Sequence, residues 1–195
     1  LIADIGAMVA RGTPAGIHQA ANAEQSLYIA NHSESRVFVI ENKEIFDHIS
    51  MGENRDKLET VEKIVMMYEA EQVDHPDVVG FQEFLESGAA ELEAVDERIS
   101  KIALDDRATM IYTSGTTGPP KAVMLSHENL AWTAKNAIEA VGGVSEKDTV
   151  VSYLPLMHIA EQMFSIHLAI TAGYPIYFCN DLKKVKDTLV VARPT

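Results

Sequence analysis

The segment Tyr112-Thr113-Ser114-Gly115-Thr116-Thr117-Gly118-Pro119-Pro120-Lys121 gathers hydroxyl side chains, two glycines and a lysine within ten residues. Glycine lets a backbone turn tightly and come close to a ligand. Hydroxyls and free amides donate to oxyanions, and an ammonium group balances the accumulated negative charge. Together these groups suit a polyphosphate. The same composition also fits a Gly/Thr-rich turn joining two strands of a hairpin.

Spacing separates this loop from the phosphate loop of ordinary nucleotide hydrolases. That loop needs a glycine just before its lysine and a hydroxyl just after it, whereas Pro120 precedes Lys121 and Ala122 follows it. The two prolines also remove amides that a loop opening into a helix would offer to phosphate. A kinase or GTPase of that class is therefore disfavoured. A second candidate is His158, which follows Leu154-Pro155-Leu156-Met157 where a strand pattern gives way to a helical one. A lone histidine in apolar sequence also reads as a satisfied core residue. His127-Glu128 begins like a zinc-protease pair, but Ala131 stands where the second ligand would be, so no metal site is expected there. His18, His32, His48, His75 and His167 show no ligand spacing.

The elements that must hold these residues alternate helical patterns with short apolar runs, the pattern of an α/β protein with layered, mainly parallel sheets flanked by helices. An apolar cluster over 1–10 is closed by Gly12 and Pro14. Asn22 can cap a helix, and Val37-Phe38-Val39-Ile40 reads as a buried strand. A helix over 43–50 and an apolar run over 64–68 repeat the unit. Residues 69–106 are strongly acidic, with Arg98 and Lys101 against many Asp and Glu, and read as solvated helices outside the sheet. Strands are predicted over 108–112 and 122–125 on either side of the loop. Ser126 then caps a helix ending at Gly142-Gly143, with apolar positions at a 3.6-residue period. A strand over 149–153, an almost wholly apolar helix to Ala172 and a strand over 175–179 complete the reading. The helix behind His158 either lines an acyl tunnel with Met163, Phe164, Ile166, Leu168 and Ile170 or is plain core.

A hydrophobic content of 47% over 195 residues allows a real core. The formal charge of -13 argues against nucleic acid as a partner, because such binding draws on clustered Lys and Arg. Cys179 cannot form an internal disulfide, which agrees with a reducing compartment, and reads as a small buried apolar side chain. No run approaches the roughly 20 apolar residues of a spanning helix. Leu1 and the ending Arg193-Pro194-Thr195 suggest a piece of a longer polypeptide.

The string Y-T-S-G-T-T-G-P-P-K-A-V-M-L-S-H closely resembles the AMP-binding signature of the acyl-adenylate-forming superfamily, which includes acyl-CoA synthetases, luciferases and peptide-synthetase adenylation domains. Its one clear departure is Ala122, where the family usually has glycine. Leu154 to Gln162 resembles the family's next motif in the form typical of long-chain fatty acyl-CoA synthetases, and Gly12 to Asn31 and Arg193-Pro194-Thr195 resemble further landmarks. The resemblance implies a partial N-terminal AMP-binding domain, with a first α/β portion over 1–106 and a phosphate-loop portion over 107–195. It further implies that the adenine- and ribose-binding motifs, the hinge and the small C-terminal domain would follow Thr195, so that this stretch alone would be inactive.

By this resemblance the full-length protein would be a long-chain fatty acid–CoA ligase, AMP-forming, using ATP, Mg2+ and coenzyme A. Its cytoplasmic location would be peripheral to membranes. Thr113, Ser114, Thr116 and Thr117 would donate to phosphate oxygens, Gly115 and Gly118 would permit close approach, and Lys121 would balance charge. Thr113 would reach the metal, and His158 would face the acyl carboxylate or gate the tunnel. A medium-chain or aryl acid ligase and a non-catalytic nucleotide-binding relative are the competing readings.

Overall fold

The computed structural model describes residues 1–50, 56–113 and 118–195. Helix α1 (Ile2–Val9) leads to a two-residue strand β1 (Ala15–Gly16). Helix α2 (Ala23–His32) begins at a reciprocal cap: Gln25 N–H donates to Asn22 Oδ1 at 2.9 Å and Asn22 N–H to Gln25 Oε1 at 3.2 Å. Such caps stabilise a helix by about 1 kcal/mol. Strand β2 (Val37–Ile40), helix α3 (Lys43–Ser50), strand β3 (Lys63–Met66) and strand β4 (Val78–Gly80) follow. They form a wholly parallel sheet in the order β2-β3-β4. Leu27 and Ala30 of α2 pack on Phe38, Ile40, Ile64 and Met66 of this sheet.

Three expectations change here. Val78–Gly80 lies within the acidic stretch yet pairs with β3, so that stretch is not wholly outside the sheet; its charge hid a three-residue strand. The helices after it, α4 (Phe81–Ser87) and α5 (Leu92–Ser100), have no buried residue and lie outside the sheet as expected. Strand β2 is not buried throughout, since Val37 and Val39 face outward and Phe38 and Ile40 inward, as on an edge strand covered on one face. Strand β3 stops at Met66, and Met67 and Tyr68 are exposed.

Strand β5 (Arg107–Thr113) runs parallel to β1 and antiparallel to β6 (Lys121–Ser126), in the order β1-β5-β6. Being central, β5 is buried continuously from Ala108 to Tyr112. Ser126 starts helix α6 (His127–Ala140) by accepting from Asn129 N–H at 3.2 Å while Asn129 Oδ1 accepts from Ser126 N–H at 3.1 Å. Strand β7 (Val150–Ser152) pairs in parallel with β8 (Ile176–Phe178). Between them the predicted single helix is three pieces: α7 (Ile159–Gln162), a π-helical turn over Met163–His167, and α8 (Leu168–Ala172). Met163, Ile166 and Leu168 are core, whereas Phe164 and Ile170 are exposed. Helix α9 (Val185–Ala192) packs on β7, and Cys179 is buried beside Val151 and Ala192. Among the described residues no helix is long and apolar enough to cross a membrane.

Candidate active site

The β5–β6 hairpin fixes where Thr113 and Lys121 stand. Its ladder pairs Tyr112 with Ala122 and ends on Thr113 opposite Lys121. The segment therefore joins two antiparallel strands, as the hairpin interpretation expects. Thr113 and Lys121 are both exposed there. The Thr113 hydroxyl approaches the Lys121 carbonyl at 3.5 Å, a weak contact. Lys121 has no carboxylate partner among the described residues. Gly118 adopts φ +94°, a conformation that other residues avoid, and no described residue comes within 4 Å of where a Cβ would stand. Ser114, Gly115, Thr116 and Thr117 lie outside the described residues.

Ala122 does not disturb this arrangement. It has no left-handed backbone angle, and its methyl packs with Ile29, Met110 and Tyr112. The root of the hairpin is held from behind by α2. Tyr112 Oη and His32 Nδ1 are 2.8 Å apart, and the Tyr28 ring stacks on His32 at 5.2 Å between centroids. Burial raises the Tyr112 phenol above its usual pKa, so it stays protonated and keeps its hydrogen bond. At the other end of β5, Asp106 is held below the usual carboxylate range mainly by its hydrogen bond from Arg11, at 2.8 Å.

His158 reaches the same end of the sheet by a different route. It is the exposed residue before α7; its N–H donates to Pro155 O at 3.0 Å and its carbonyl accepts from Gln162 N–H at 3.1 Å. Met157, its neighbour, lies against Gly16, where an added Cβ would come within 2.9 Å of Met157 Cβ. Gly16 pairs with Ile111, two residues before Thr113, so the 154–158 segment sits against the carboxyl end of the β1–β5 pair. Beyond Gly16, the His18 ring stands edge-on to His158 at 6.0 Å. Thr113, Lys121, His158 and His18 are thus brought to one end of the β1-β5-β6 sheet.

His18 and His32 could not be picked out from spacing. Each owes its place to a partner far along the chain, His158 and Tyr112 respectively, through the parallel β1–β5 pairing and the seat of α2. Glu161 was visible only as part of a motif, yet it is 5% exposed and accepts from Ser152 Oγ at 2.6 Å and Ser165 Oγ at 2.7 Å. A cavity of about 270 Å³ between α1, α6 and α8 is lined by none of Thr113, Lys121 or His158. His167 borders it, and burial pushes its pKa down to about 4, which marks it as a neutral core histidine.

The family model described as AMP-binding enzyme matches residues 1–194. A Xenopus laevis protein named long-chain-fatty-acid–CoA ligase ACSBG2 is 37% identical over 201 residues, covering 100% of this chain and 27% of that protein. A Drosophila melanogaster protein named long-chain-fatty-acid–CoA ligase heimdall is 34% identical over 202 residues, covering 99% of this chain and 29% of that protein. The chain thus spans less than a third of the length of these curated relatives. Among solved structures, the anthranilate CoA ligase AuaEII with anthranoyl-AMP superposes with a TM-score of 0.74 at 19% identity, over 94% of this chain and 34% of that one. A long-chain-fatty-acid-CoA ligase from Archaeoglobus fulgidus gives 0.65 at 23% identity, with the same coverage. The chain has the fold of the matched parts of these two structures. On the match across residues 1–194, the chain belongs to the AMP-binding enzyme family.

Proposed function

We propose that the full-length protein activates a long-chain fatty acid with ATP, first to an acyl adenylate and then to an acyl-CoA. The observation that carries this reading is the similarity over the whole chain to proteins named long-chain-fatty-acid–CoA ligases. In the first step a carboxylate oxygen bonds to the α-phosphorus of ATP, the bond from that phosphorus to the bridging oxygen breaks, and pyrophosphate leaves. In the second, the thiol of coenzyme A loses its proton and attacks the acyl carbonyl, and AMP leaves.

The protein's part in the first step is to meet the negative charge that gathers on the departing phosphates. The open hairpin end fits that part, with an unpaired cation at Lys121 and clear space at Gly118 among the described residues. In this reading Lys121 balances charge; Thr113, Ser114, Thr116 and Thr117 donate hydrogen bonds; and Gly115 and Gly118 let the backbone come close. Mg2+ supplies further charge neutralisation when bound, and the Thr113 hydroxyl is our candidate oxygen toward it. His158 faces the acyl carboxylate. The same reading places the protein in the cytoplasm, peripheral to the membranes that hold its substrate.

A panel of acids tests the substrate. Thioester formation by the full-length protein, measured with palmitate, octanoate and benzoate, is expected to give a kcat/KM for palmitate above that for benzoate by on the order of tenfold or more. Preference for benzoate or octanoate would replace the long-chain reading with another carboxylate ligase. ATP binding without thioester formation from any acid would indicate a non-catalytic relative.

A further inference from the structure

Glu161 is a buried carboxyl group that the chemistry above does not use. Among the described residues no Lys, Arg or His forms an ion pair with it. A carboxylate is costly to hold in an interior, and it persists where its hydrogen bonds organise something that apolar packing would not. Its two donors come from different elements. Ser152 ends β7, where its carbonyl also accepts from Cys179 N–H at 2.8 Å, and Ser165 lies fully buried in the π-helical turn. The Ser152–Glu161 bond closes a nine-residue arc in sequence, and that arc contains Met157 and His158. Turns of π-helix inside α-helices often accompany functional sites. Here the π turn follows α7 directly and supplies one of the two hydroxyls.

We propose that Glu161 is a positioning residue: by holding the Ser152 and Ser165 hydroxyls it cinches the 153–158 arc so that His158 is presented to the acyl carboxylate. The proposal rests on the adenylation reading and on the place given there to His158. It assigns Glu161 an effect on the acid substrate and none on the grip of ATP, because Thr113 and Lys121 stand on a different pair of strands, β5 and β6.

The test uses the full-length protein with palmitate and follows ATP–pyrophosphate exchange. Glu161→Leu keeps the volume and removes both acceptor interactions; it is expected to lower kcat/KM for palmitate on the order of 10- to 100-fold, as loss of positioning does. KM for ATP is expected to stay within about twofold, a separation that general destabilisation would not produce. Glu161→Gln retains a carbonyl oxygen in the same place and is expected to restore most of the activity. In a His158→Ala background, Glu161→Leu is expected to add little, because the group it positions is gone. If Glu161→Leu does not fold, Ser152→Ala, with Ser152→Thr as its rescue, carries the same comparison.

Full additivity with His158→Ala, a parallel rise in KM for ATP, or equal damage from Glu161→Gln would overturn the positioning role. A wild-type protein without acid-dependent exchange would overturn the adenylation reading, and this proposal with it. An active wild type unaffected by Glu161→Leu and Ser152→Ala would sink the proposal alone.

Discussion

Lys121→Ala in the full-length protein is expected to lower kcat/KM for ATP on the order of 100-fold, comparable to removal of a preorganised charge-stabilising donor elsewhere. The side chain starts β6 at the open end of the hairpin and is exposed, with no carboxylate to satisfy it among the described residues. Its removal therefore breaks no ion pair and leaves the ladder with β5 intact, since that ladder uses backbone groups. A surface change of this kind shifts stability by only about 0.5 kcal/mol, so a loss of activity would report charge compensation and not unfolding. Lys121→Arg keeps the charge but replaces a compact ammonium by a planar fork and is expected to recover part of the loss. Initial rates at varied ATP, with a thermal melt of each variant, make the measurement. Unchanged ATP kinetics in a folded Lys121→Ala would remove the lysine from the site.

Gly16→Ala is expected to reduce both stability and activity. The added Cβ would meet Met157 Cβ at 2.9 Å and Met157 Cα at 3.0 Å, a contact with the base of a side chain and with backbone, neither of which can rotate away. Either β1 must leave its register with Ile111 or the 154–158 segment must retreat. Overpacking of this kind costs about 1–3 kcal/mol, which for a domain of this size lowers the thermal midpoint by about 2–4 °C per kcal/mol. The same shift moves His158 and separates it from His18, so kcat/KM for the acid is expected to fall on the order of 10- to 100-fold. Because the substitution does not touch the hairpin's open end, KM for ATP should change far less than KM for the acid. A melt and an acid titration on the purified variant check both effects. An unaltered melting curve with unaltered acid kinetics would mean that the two segments do not pack as described.

The features legible in the sequence were those governed by local rules. Helix α6 was bounded because Ser126 is a capping residue and its apolar positions follow one face, and β5 and β6 because apolar runs flank a glycine-rich turn. The phosphate-loop motif carried the family because its residues are contiguous. What was not legible depends on contacts between distant segments. Strand β4 is not legible because a three-residue run in an acidic context has no period to read, and only pairing with β3 makes it a strand. The π turn has the composition of any apolar helix. His18 and His32 gain their places through Gly16 against Met157 and Tyr112 against α2, and Glu161 is notable only because the fold buries it between two hydroxyls.

The central claim is that the β5–β6 loop grips ATP while a carboxylate attacks the α-phosphate. Exchange of labelled pyrophosphate into ATP by the full-length protein, without coenzyme A, tests it most directly. The account predicts exchange that requires a fatty acid, yields AMP and pyrophosphate in net turnover, and falls with Lys121→Ala. Exchange without any acid, or ADP and inorganic phosphate as products, would contradict it.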